Sequence, residues 1–148
     1  MQISEILSAE RILCNVETAS KKSALEELAK LIANADPSLT YTEIFTCLFA
    51  REKLGSTGLG NGIAIPHGRL QHCTKTIAAF LQLREGINYD ATDQKPVDLI
   101  FALLVPENST DEHLQILSKL AEMFSDNSLL ARLRVESNPE RIIKILTA

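Results

Sequence analysis

Residues 97–106, VDLIFALLVP, are apolar apart from Asp98 and end on a proline. The run is too short to span a membrane and too unbroken for a strand with one wet face. It reads as a central strand buried on both faces. Such a strand needs neighbours in a sheet and helices covering both sides of that sheet. Residues 77–83, IAAFLQL, supply a second apolar run bounded by turn signals. The expected architecture is a three-layer α/β/α sandwich around a mixed β-sheet of about four or five strands.

The covering helices have their own signatures. In SKKSALEELAKLIAN, Ala24, Leu25, Leu28, Leu31 and Ile32 recur at helical spacing, with Ser20 as N-cap. In TYTEIFTCLFAREKL, Thr40 and Glu43 have capping-box spacing, and Ile44, Leu48 and Leu54 give the apolar face. Arg51 then lies near the end of that helix, which the following glycines close. In STDEHLQILSKLAEMF, Ser109 and Glu112 repeat the capping-box spacing, and Leu114, Leu117, Leu120, Ala121 and Phe124 give the buried stripe. NSLLARLR is a shorter helix. NPERIIKIL begins with Asn138 as N-cap and Pro139 at the first helical position. No linker, repeat or low-complexity segment divides the chain, so residues 1–148 are expected to form a single domain.

With 148 residues, 45% of them hydrophobic and 23% charged, the chain can bury a core without disulfide staples. There is no tryptophan, so that core is mainly aliphatic. The net charge of −4 and the lack of a basic stripe argue against a nucleic-acid partner. Lys21-Lys22 reads as a solvated helix start. Cys14, Cys47 and Cys73 are widely spaced and contain no CxxC, which excludes the common zinc and redox patterns and suits a reducing cytoplasm. No stretch approaches the length of a membrane span, and the start lacks the pattern of a secretion signal, so a cytoplasmic protein without membrane insertion is expected.

The segment most suggestive of chemistry is GSTGLGNGIAIPH, residues 55–67. Gly55, Gly58, Gly60 and Gly62 allow close backbone approach and positive φ. Pro66 then restricts Ile65 and itself, fixing the chain direction just before His67. The glycines match neither the Walker loop nor the dinucleotide fingerprint, and no cofactor or metal is implied. Of the three histidines, His72 lies in a polar stretch and reads as an exposed loop residue. His113 lies in the first turn of a helix. The bland reading there is a solvent-facing residue; the functional one is a donor beside the anion that a helix N-terminus favours. His67 is a candidate nucleophile: a neutral imidazole can attack phosphorus and hold the phosphoryl group as a phosphoramidate. Arg51, with a guanidinium matched to phosphate oxygens, and His113 would stabilise the group in transfer. The second ring nitrogen of His67 should donate to a carbonyl that fixes its tautomer.

REKLGSTGLGNGIAIPHGRL (51–70), together with QKPVDLIFALLVP (94–106), resembles the enzyme IIA domains of the fructose/mannitol type from the bacterial phosphoenolpyruvate-dependent phosphotransferase system, above all their nitrogen-regulatory branch. The resemblance covers essentially the whole chain and implies the mannitol-type IIA fold. It places the phosphorylated histidine on His67, the phosphate-stabilising arginine on Arg51 and the second active-centre histidine on His113. It also implies phosphorylation at Nε2, which the residues alone do not distinguish from Nδ1. The implied donor is an HPr-like phosphocarrier. The implied outputs are regulatory targets such as potassium transport proteins or sensor kinases. A sugar-specific IIA that passes phosphate to a IIB component is the alternative.

Overall fold

The computed structural model describes residues 2–109 and 111–148. Six strands form one mixed sheet: β1 (Ile12–Val16), β2 (Gly58–Gly60), β3 (Ile63–Ala64), β4 (His67–Leu70), β5 (Ile77–Ile87) and β6 (Val97–Pro106). Six α-helices accompany them: α1 (Ile3–Ile6), α2 (Lys21–Ala35), α3 (Tyr41–Lys53), α4 (Asp111–Met123), α5 (Asn127–Val135) and α6 (Pro139–Thr147).

VDLIFALLVP is central, as its unbroken hydrophobicity requires. The sheet runs β1-β5-β6-β3-β2, with β4 also paired to β6. β5 and β6 are antiparallel, whereas β1, β3 and β4 pair in parallel with their neighbours β5, β6 and β6. Alternation along β6 sorts its side chains between two cores. Ile100, Ala102 and Leu104 face α2 and α3; Leu99, Phe101, Leu103 and Val105 face α1, α4, α5 and α6. The three-layer sandwich is therefore present, and both cores are almost wholly aliphatic apart from a few aromatic rings such as Phe80, Phe101 and Phe124.

The caps read from sequence hold in three helices. Ser20 accepts from the Ser23 N–H, Thr40 and Glu43 form a reciprocal capping box, and Asn138 accepts from Glu140 with Pro139 in the first turn. The Ser109 cap expected for α4 depends on the residue that joins it to Asp111. The residue before Asp111 lies outside the described residues.

The sheet exceeds the expected four or five strands for two reasons. β1 lies ahead of the first expected helix, in a segment with no continuous apolar run. The glycine-rich stretch is not a loop but the β2–β3 hairpin, followed by β4. Its turn is Asn61-Gly62, with φ of 60° and 83°. Positive φ at both central residues is the hairpin geometry for which Asn-Gly is the strongest local signal. β3 and β4 run in line along the same side of β6, and Pro66 marks the break between them. Among the described residues, no helix is long and apolar enough to cross a membrane.

Candidate functional site

His67 is the first residue of β4, immediately after the proline break. The ring reaches back to the backbone two residues earlier. Nδ1 lies 2.8 Å from the Ile65 carbonyl oxygen. A carbonyl only accepts, so Nδ1 carries the proton and Nε2 keeps its lone pair. This is the tautomer-fixing contact expected from sequence, and it selects the nitrogen that sequence left open. Burial pushes the imidazole below its ordinary pKa, and the Arg51 charge adds to that. The Ile65 contact and Glu52 act in the opposite direction. The net effect favours the neutral ring, which is the nucleophilic form.

Arg51 lies in the last turn of α3 and donates from Nη1 to the Gly55 carbonyl at 3.0 Å. That bond uses one donor of five and leaves the fork available. Arg51 and His67 line the same cleft of about 340 Å³, together with Ser56, Gly58, Leu59 and Leu117. A cation and an imidazole thus share one opening.

His113 is brought to the same place from the opposite layer. Its ring stands edge-on to His67, with centroids 5.4 Å apart and planes at 77°. It is buried, not solvent-facing, and among the described residues its Nδ1 has no hydrogen-bond partner. Burial, then the neighbouring His67 and Arg69, lower its pKa. The expected stripe on α4 holds at Leu120 and Phe124, with Leu117 half-buried against the same core, and fails at Leu114 and Ala121. His113, Ile116, Leu120 and Phe124 are buried, whereas Leu114 is 65% exposed and Ala121 is also exposed. The spacing 113, 116, 120, 124 is itself helical, so the signal was present; histidine was not counted among residues that bury. His72 is exposed in the turn after β4, apart from the other two.

Two polar residues of the site were missed. On α3 the spacing 44, 48 continues to Glu52, not to Leu54, which caps the helix end and is 84% exposed. Glu52 is buried at a position that periodicity assigns to an apolar side chain. It accepts from both the backbone N–H of Thr57, at 3.2 Å, and the Thr57 hydroxyl. Lys21, expected to be solvated, instead reaches Glu52 at 3.3 Å with a side chain only 17% exposed. Burial of a carboxylate demands such a partner. Lys21 also lies over the Tyr89 ring, and the same burial raises the Tyr89 phenol well above its ordinary value.

The family model "Phosphoenolpyruvate-dependent sugar phosphotransferase system, EIIA 2" matches residues 5–148. The nitrogen regulatory protein of Pseudomonas aeruginosa is 46% identical over 146 residues, covering 99% of this chain and 95% of that protein. The crystal structure of the nitrogen regulatory protein IIA-Ntr from Neisseria meningitidis superposes with a TM-score of 0.93 at 50% identity, covering 98% of this chain and 99% of that one. That of IIA mannitol from Escherichia coli superposes with a TM-score of 0.80 at 25% identity, covering 95% and 98%.

Proposed function

The chain belongs to the EIIA 2 family of the phosphoenolpyruvate-dependent sugar phosphotransferase system, and within that family we propose that it is a nitrogen-regulatory phosphohistidine carrier whose acceptor is His67. The observation that carries the assignment is the Nδ1 contact with the Ile65 carbonyl, in a ring that shares its cleft with Arg51. Similarity to nitrogen regulatory proteins over nearly the full chain supports the regulatory role.

The donor is an HPr-like protein carrying a phosphohistidine, itself charged from phosphoenolpyruvate through enzyme I. The lone pair on Nε2 of His67 forms the new N–P bond. The donor's N–P bond breaks, and its electron pair returns to the donor's ring nitrogen. The proton stays on Nδ1, donated to the Ile65 carbonyl, so no separate base is needed. Arg51 offers its free guanidinium donors to the oxygens of the moving phosphoryl group. The buried His113, with a ring nitrogen still unpaired, offers a further contact from α4. Catalysis here is positioning and charge stabilisation, as phosphoryl transfer generally requires.

Phosphorylation adds about 1.5–2 negative charges to a cleft whose nucleophile was neutral. That change alters complementarity to targets such as potassium transport proteins or sensor kinases. The protein acts in the cytoplasm as one domain; two cores on a single sheet support the single-domain reading.

The test is phosphate transfer from phosphoenolpyruvate, enzyme I and an HPr-like carrier, read as acid-labile mass on the intact protein. Wild type gains one phosphate and His67→Ala gains none. A wild-type chain that stays unmodified beside a working IIA control refutes the carrier reading.

A further inference from the structure

Glu52 presents a physical puzzle. Its carboxylate is buried, with a side chain only 2% exposed, at a position where a leucine would complete the stripe of Ile44 and Leu48. A buried ion pair is weak support for stability, because a well-packed apolar residue in its place is commonly as stable or more so. Its presence therefore calls for a role that an apolar side chain cannot fill.

The hydrogen bonds give that role. Lys21 neutralises Glu52 Oε1 at 3.3 Å. The Thr57 N–H donates to the same oxygen at 3.2 Å, and the Thr57 hydroxyl donates to Oε2. Because that hydroxyl proton is committed, the Tyr89 phenol is the donor in its 3.4 Å contact with Thr57 Oγ1. The Thr57 carbonyl in turn accepts from the Ile65 N–H at 3.1 Å. The Ile65 carbonyl holds His67 Nδ1 at 2.8 Å. Four contacts thus connect Lys21, at the start of α2, to the imidazole. No apolar residue at 52 could hold a backbone N–H and a hydroxyl together.

Helix geometry makes the arrangement economical. Successive residues on a helix point about 100° apart. Arg51 therefore faces the cleft while Glu52 faces the interior, and the two grip one short segment. Arg51 holds the Gly55 carbonyl, and Glu52 holds Thr57 two residues on.

Resting on the reading of His67 as acceptor, we propose that Glu52, neutralised by Lys21, is a positioning residue for phosphoryl transfer: through Thr57 it fixes the Ile65 carbonyl that holds His67 in its Nδ1-protonated form. It touches neither the phosphate nor the partner. Its effect is on how often the ring is correctly oriented, which enters the turnover rate and leaves docking alone.

The experiment compares full-length wild type, Glu52→Gln and Lys21→Met. Folding is checked by thermal melting. The ring nitrogens of His67 are followed by ¹⁵N NMR in the unphosphorylated protein. Transfer is measured over a range of phosphorylated HPr-like carrier concentrations. In Glu52→Gln, kcat should fall about tenfold, the scale typical of outer contacts that orient a functional histidine. KM should stay within about twofold by the same logic, since a lost orienting contact leaves docking intact. The ring signals should move from a single Nδ1–H tautomer towards mixed values. Lys21→Met should shift both readouts in the same direction by less. If Glu52→Gln does not fold, Thr57→Val, which deletes the hydroxyl and keeps the N–H, carries the same expectations. A folded Glu52→Gln protein with wild-type kcat and an unshifted ring overturns the proposal, as does a defect confined to KM. Should wild type accept no phosphate, the carrier reading fails and the ring spectrum alone decides the positioning claim.

Discussion

The centre of the sheet and its β2–β3–β4 edge are built on opposite principles. Along β6 the two faces bury Leu99 to Val105 in two apolar cores, and position is set by packing. At the edge the strands are two to four residues long and rich in glycine. Ile63, Ala64 and Ile65 are buried there, but the glycine-rich turns around them are held by polar contacts. Arg134 on α5 bonds Asp98 at 2.9 Å and also the Asn61 carbonyl, clamping the hairpin turn. Glu52 and Arg51 hold the approach to the hairpin. Apolar burial makes the fold stable, and directional bonds aim the side chains that act.

That contrast can be broken from the centre outward. Phe101 is fully buried against Phe80 and Phe124. Phe101→Ala should cost about 3–5 kcal/mol in urea unfolding, yet leave phosphate acceptance by the folded fraction intact. A loss of acceptance well below the unfolding midpoint would show that centre and edge are not separable. Arg51→Ala and His113→Ala should do the reverse. Each should slow transfer by about 10²-fold, the usual effect of removing one preorganised donor. Their melting temperatures should stay near wild type, and wild-type rates would contradict the assigned roles.

A single methyl tests the seam between the two regions. A Cβ on Gly68 would collide with the Cys47 sulfur on α3. Gly68→Ala should therefore cost about 1–3 kcal/mol by overpacking and slow transfer by shifting β4. Cys47→Ala in the same chain should restore much of both, measured as a double-mutant cycle. The smallest effect concerns pH. His67 and His113 are both held below their ordinary pKa by burial. A histidine with a depressed folded-state pKa contributes full stability above its unfolded value, near 6.5, and loses it as pH falls through the folded value. Unfolding free energy should thus decline on acidification below about pH 6.5, and His67→Gln should flatten that slope. Transfer should hold its rate to a pH below that of free histidine.

The centre was legible in the sequence and the edge only in part. Unbroken hydrophobicity identified β6 and required helices on both sides. Capping residues marked the starts of α2, α3 and α6. His67, Arg51 and His113 were singled out because proline, glycine, charge and a helix start stood beside them, and the fold brings the three side chains together. Asn61-Gly62 was read as part of a loop, since the flanking strands are too short to show alternation. Lys21 and Glu52 stayed hidden because the pairing that permits their burial joins residues 31 positions apart. The burial of His113 was not legible, because a histidine facing a second histidine buries in a way that one-dimensional periodicity does not signal.

The contact between Nδ1 and the Ile65 carbonyl also has a chemical consequence. Imidazole can be phosphorylated at either nitrogen, and the two products are distinct compounds. A ring whose Nδ1 is occupied by its own backbone can form only one of them. The carrier would therefore hold a single regioisomer, one that any downstream acceptor must be shaped to receive, and ³¹P NMR of the loaded protein should show one resonance.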